Sequence, residues 1–186
     1  MSRQFCEEMI SWVVADGPSI NTSAAEALIY GDITVPANYI ADGRMLKLRV
    51  KGKWSTTTGT VTVIFRLRWG GLAGTLLCAT GTITQLVSIT NGLFDIEIDL
   101  IVRTNGSTGT IMANGVARVF AATAPTIGSA TGAPAIAPMT AGGQTAPAAV
   151  TVDLTADKAL SITAQMGASS ASNIIQGLQY TLESCN

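Results

Sequence analysis

Three carboxylates at alternate positions of one apolar segment are the residues whose types and spacing best suit chemistry. They are Asp95, Glu97 and Asp99 in "FDIEIDLIVR". On a strand, residues two apart share a face at about 7 Å separation, so the three form an acidic stripe. Carboxylates so spaced serve in glycoside hydrolysis, and clustered ones bind Ca²⁺. The surrounding sequence suits neither role. Sugar-cleaving grooves are lined with aromatic rings, and aromatics make up 5% of this chain. No segment has the D-x-D-x-D-G spacing of a calcium loop. Histidine is absent, which removes the commonest general base, the usual serine-protease triad and most zinc-enzyme sites. The expectation is a protein that is not an enzyme and that carries no metal and no cofactor.

The acidic stripe has a basic counterpart. "RMLKLRVKGKW" holds Arg44, Lys47, Arg49, Lys51 and Lys53, five of the 11 basic residues. Leu46, Leu48 and Val50 alternate with Lys47, Arg49 and Lys51, so one face is apolar and the other basic. After "STTTG", the segment "TVTVIFRLRW" puts Val61, Val63, Phe65, Leu67 and Trp69 on one face and Arg66 and Arg68 on the other. The two segments read as a β-hairpin with a cationic outer side. A phosphate-binding surface would add stacking rings, but the positions beside these arginines are Thr62 and Ile64, and the net charge is −1. No nucleic-acid partner is expected. Instead Lys47, Arg49, Lys51, Arg66 and Arg68 are expected to meet Asp95, Glu97 and Asp99. They meet across neighbouring strands or between subunits, with Arg49 opposite Glu97 as a trial register. Cross-strand pairs of opposite charge contribute roughly 0.2–1 kcal/mol each.

The elements that carry these stripes are strands. Period-two alternation dominates from residue 44 onward, through "TLLCAT", "TITQLVSIT", "TIMANGVARVFA", "AVTVDLT", "ALSITAQM" and "IIQGLQYTLE". Asn114-Gly115 suggests a bulge or kink. Residues 122–148 carry no charge and four of the 6 prolines; they read as a long surface loop, because proline is confined to edges and bulges in sheets. Eight or nine strands with no convincing long helix predict an all-β fold, an antiparallel jelly-roll-like β-sandwich over residues 31–186. Residues 1–30 read as an N-terminal extension. Its apolar stretch, with Phe5, Met9, Ile10 and Trp12, is a candidate arm for contact with another chain. Trp54 and Trp69 fall on the inner faces of their strands.

Charged residues are 12% of the chain, about half the usual share, which favours a surface covered by other copies or a partner. No run approaches the ~20 apolar residues of a membrane span, and "MSRQFCEEMISWVV" has Glu7 and Glu8 where a signal peptide would be apolar. Three cysteines without C-x-x-C spacing read as reduced thiols, the alternative being one pair plus a free thiol, with Cys78 as a small buried hydrophobe.

The segment "ITVPANYIADGRMLKLRVKGKWSTTTGTVTVIFRLRWGG" resembles one common in structural proteins of tailed bacteriophages. The matching elements are the entry Val35-Pro36-Ala37-Asn38, a loop ending at Gly43, two long alternating strands and the closing Gly70-Gly71. The C-terminal "LSITAQMGASSASNIIQGLQYTLE" is similar to the closing hairpin of the same proteins. The resemblance implies a jelly-roll virion protein, synthesised in the host cytoplasm and carried on the capsid exterior. It implies a homotrimeric decoration or cement protein that binds the major capsid protein and stabilises the shell. The alternative it implies is a receptor- or glycan-binding module of a head fibre or tail.

Overall fold

The computed structural model describes residues 7–21, 23–56, 61–84, 89–120, 135–143 and 146–185. In chain order the strands are β1 (Glu7–Trp12), β2 (Ser19–Ile20), β3 (Ala27–Leu28), β4 (Ile33–Val35), β5 (Met45–Ser55), β6 (Thr62–Trp69), β7 (Thr75–Thr80), β8 (Ile83–Thr84), β9 (Gly92–Thr104), β10 (Gly109–Val119), β11 (Ala135–Ala141), β12 (Val150–Val152), β13 (Lys158–Met166) and β14 (Ile174–Cys185). Among the described residues there is no helix, and every strand pairing is antiparallel.

The strands follow one path, β1-β14-β5-β9-β10-β11-β7-β6-β13-β3. It folds over at β11, which pairs with β10 through Ala135–Met139 and with β7 through Met139–Ala141. One layer therefore runs from β1 to β10 and the other from β7 to β3. The layers meet in a core where Phe65 of β6 and Phe94 of β9 stack with ring centroids 5.3 Å apart. The long strands nest, β5 with β14, β6 with β13, β7 with β11 and β9 with β10. This is the pairing of a rolled ribbon, the feature a jelly roll shares.

Alternation explains which side of each strand faces inward. Leu46, Leu48, Val50 and Trp54 of β5 and Val63, Phe65, Leu67 and Trp69 of β6 are buried, each large aliphatic side chain contributing about 1.5–3 kcal/mol. Both indoles lie inside with their N–H groups satisfied. Trp54 donates to the carbonyls of Leu93 and Phe120, and Trp69 donates to that of Asp153. β5 and β14 oppose glycine with glycine, Gly52 with Gly177. A Cβ at Gly52 would enter the Phe94 ring, and one at Gly177 the Tyr30 ring.

Four expectations need correction. β5 and β6 are not a hairpin. β5 pairs with β14 and β9, whereas β6 pairs with β13, β7 and β8. Their apolar faces close the same core from opposite sides, so the chain crosses between layers after β5. Of the expected turn "STTTG", residues 55–59, positions 57–59 lie outside the described residues. The stretch 122–148 is not loop throughout. Residues 121–134, 144 and 145 lie outside the described residues, but Ala135–Ala141 is β11. Pro138 is tolerated there because it precedes the short ladder to β7, which starts at Met139. Asn114-Gly115 makes no bulge. The ladder to β9 runs straight through it, and Asn114 Oδ1 instead accepts the Ala141 N–H at 3.2 Å. Finally, the described part of the N-terminal segment, residues 7–21 and 23–30, is woven into the sandwich. β1 and β2 pair with β14, and β3 pairs with β13, which β4 joins just beyond the segment. Ile20, Ile29 and Tyr30 are buried along the way, so the segment laces the two layers together at their open margin.

Candidate interaction face

The expected charged residues divide between the two outer faces of the sandwich. On the first, β5 and β9 are neighbours, and their outward residues pair in register: Lys47 with Asp99, Arg49 with Glu97, Lys51 with Asp95. A basic column thus runs beside an acidic one. The register continues sideways to β14, where Glu183 lies beside Lys47, and to β10, where Arg118 lies beside Asp95.

The side chains do not bond as the register alone suggests. Arg118 Nη1 is 2.9 Å from Asp95 and its Nη2 is 3.1 Å from Glu97, so one guanidinium bridges two acids on the neighbouring strand. The Arg49 guanidinium turns to Glu183 at 3.8 Å rather than to Glu97. Among the described residues Lys47 and Lys51 form no ion pair within 4.0 Å. Asp95 Oδ1 is buried and has no hydrogen-bond partner among the described residues. The centre of the face is a shallow depression between Lys47, Arg49, Glu97 and Asp99. A second, more apolar one lies towards Leu93, Phe120 and Leu178.

Arg66 and Arg68 lie on the opposite outer face and cannot reach the acidic stripe. Their partner is Glu26. Arg68 donates to both of its carboxylate oxygens, at 2.6 and 2.8 Å, and Arg66 donates at 3.3 Å. The Thr163 hydroxyl adds a bond of 2.6 Å. Burial alone would raise the Glu26 carboxyl. The bonds from Arg68 and Thr163 and the charges of both arginines outweigh it and hold the pKa below the ordinary 4.5. This cluster fastens the N-terminal segment to β6 and β13, a structural role.

Of the candidate arm, Phe5 lies outside the described residues. Ile10 packs against the core. Met9 and Trp12 point outward from β1, 45% and 60% exposed. β1 stands at the end of the strand path, so beyond Trp12 the sheet has no further strand among the described residues. At the other margin of the same outer face, Ile136 of β11 is 64% exposed. Tyr39 anchors the start of β1 by donating its hydroxyl to Glu8 at 2.6 Å. Burial first, and then that bond, raises its pKa. Cys78 is fully buried, and burial pushes its thiol up to about 12, whereas Cys185 is half-buried.

Sequence reasoning missed Glu26, Arg118 and Ile136. Arg118 had a usable signal, its outward parity in "GVARV". Glu26 had none, because "SAAEAL" carries no strand pattern long enough to place it.

No protein-family profile matches the chain, and no curated protein matches it. Among solved structures it is similar to the CBM2 module of the evolved Dit of Lactobacillus casei BL23 phage J-1. The two share 11% identity with a TM-score of 0.33, over 83% of this chain and 68% of that one.

Proposed function

We propose that this chain is a non-catalytic structural and binding module of a tailed-phage particle, held in place by burial of its sheet surface against neighbouring proteins. The phage context rests on the resemblance of residues 33–182 to virion proteins. The observation that carries the docking role is the broad outer face of β14, β5, β9 and β10, with exposed Trp12 and Met9 at one margin and Ile136 at the other. Exposed large apolar groups at both margins of one sheet face are candidate binding groups, and tryptophan is among the residues most enriched at energetic centres of interfaces. The test is immunogold labelling of phage particles purified from cells in which the chain is produced during infection. Labelling of heads supports the capsid-decoration form of this reading, and labelling of tails or fibres the tail-associated form. Particles without label, with the protein found only free, refute it.

A second reading is favoured by Trp12 specifically. An exposed indole at a sheet edge is a platform on which a sugar ring stacks, as in a receptor- or glycan-binding module. Trp54 and Trp69 are both 4% exposed, so a saccharide that changes the fluorescence of the native protein reports on Trp12. The change should vanish in Trp12→Ala.

A further inference from the structure

We propose that the outer face of β14, β5, β9 and β10 is the contact surface of a two-fold homodimer, goes against a second copy of itself, and is self-complementary by virtue of its register. Lys47, Arg49 and Lys51 of β5 each lie at the same level along the strands as an acid of β9, whereas Lys53 lies beside Leu93. Take a two-fold axis in the plane of the face, parallel to the strands and midway between β5 and β9. Rotation about it exchanges the two columns without moving any residue along the strand direction. Lys47 then lies over Asp99 of the partner subunit, Arg49 over Glu97 of the partner subunit and Lys51 over Asp95 of the partner subunit. The other in-plane axis, perpendicular to the strands, would put Arg49 on Arg49 of the partner subunit and acid on acid. Charge therefore selects one arrangement. It also supplies acids to Lys47 and Lys51, which form no ion pair within the described residues.

The apolar margins agree with the same axis, and they are independent of the charges. Trp12, Thr181, Arg49, Glu97, Val116 and Pro138 form one continuous row across the sheet. The rotation carries one end of that row onto the other. The exposed Trp12 indole arrives over Pro138 of the partner subunit, with exposed Ile136 on the same strand and face. Two apolar groups that water solvates in the single chain cover each other in the pair.

The size is also right. Five inter-strand spacings of about 4.8 Å and an 11-residue β5 rising about 3.3 Å per residue give a face of roughly 24 by 36 Å. That is roughly 850 Å² per copy, against about 800 Å² per partner in a standard stable interface. Twisted sheets packed face to face cross at about 30°, which centres the tightest contact on the Arg49–Glu97 row.

The dimer deepens the docking reading, on which it rests, by naming a second copy of this chain as the neighbour that covers this face, and its test is separate from particle labelling. Sedimentation velocity on the full chain at 1–50 µM should give twice the chain mass, with association at least tenfold weaker in 0.5 M NaCl. Arg49→Glu alone and Glu97→Arg alone should each weaken association at least tenfold, because each sets like charges against each other at two symmetric places. An equimolar mixture of the two single variants should form a heterodimer, since the four substituted and native groups then face opposite charges. Arg49 and Glu97 side chains are 51% and 47% exposed, so both variants should fold, as circular dichroism will confirm. Trp12→Ala, which leaves the charges alone, should also weaken the dimer. A wild-type monomer at 50 µM, a trimer, or a mixture that associates no better than its components overturns the proposal. Trp12 covered by a second copy cannot stack a sugar, so saccharide binding that persists undiminished in the dimer also overturns it.

Discussion

Replacing Glu26 tests how the N-terminal segment is held. Its carboxylate accepts three hydrogen bonds from two arginines and one from Thr163. Glu26, Arg66 and Arg68 are each 17–19% exposed at the side chain, so solvent screens the cluster only in part. Glu26→Ala leaves two guanidinium groups on one face, about 7 Å apart, with no acid between them. Breaking a fully buried pair costs about 3–5 kcal/mol, and a bond to a charged group contributes about 1.5–3 kcal/mol. Allowing for partial exposure and for the Arg66 carbonyl, which still accepts from Thr163 at 3.3 Å, the expected loss is about 2–3 kcal/mol. For a chain of this size that lowers Tm by roughly 4–12 °C. Glu26→Gln keeps one acceptor and should lose about half as much. Urea unfolding followed by the fluorescence of buried Trp54 and Trp69 is the assay. The pH dependence gives a second check. A carboxyl whose pKa is lower in the folded state stabilises fully above its unfolded value near 4.5, and the contribution is lost as pH falls through the folded value. The gap between wild type and Glu26→Gln should therefore be constant from pH 8 to pH 6 and narrow below pH 4.5. A loss under 0.5 kcal/mol for Glu26→Ala, or a gap that ignores acid, would refute this account.

Gly52→Ala and Gly177→Ala should each destabilise by about 1–3 kcal/mol, because the added methyl drives into the Phe94 or the Tyr30 ring; thermal melts of the two variants decide it. A double-mutant cycle between Arg118→Ala and Glu97→Ala should show coupling of about 0.5 kcal/mol, and the corresponding cycle with Arg49→Ala less than 0.2 kcal/mol when measured on the monomer; equal coupling would mean that Arg49 also holds Glu97 in solution. Iodoacetamide at pH 8 should modify Cys185 in the native protein and leave Cys78 untouched until unfolding, since only the thiolate reacts and the Cys78 thiol is buried with its pKa pushed to about 12. Peptide mass spectrometry distinguishes the two.

The inner and outer sides of the strands were legible from sequence alone. Leu46, Leu48 and Val50 are inside and Lys47, Arg49 and Lys51 outside for a local reason. Side chains alternate every residue on any extended chain, whatever its neighbours, and burial of one face then follows. The same parity put Trp54 and Trp69 in the core and made the three acids of β9 an outward stripe. Neighbours are a different matter. Nothing in "RMLKLRVKGKW" says that its strand lies between β14 and β9 rather than beside β6, because an apolar face is satisfied equally by joining a sheet or by capping one from across the core. The crossing between layers after β5 decided that, and with it sent Arg66 and Arg68 to the far face. There they meet Glu26, a residue 40 positions earlier for Arg66 and 42 for Arg68, which no periodic pattern marks. Pro138 in β11 was illegible for a related reason. Its fitness for a strand depends on where the neighbouring ladder begins, and a ladder is a property of two segments that only the folded chain brings together.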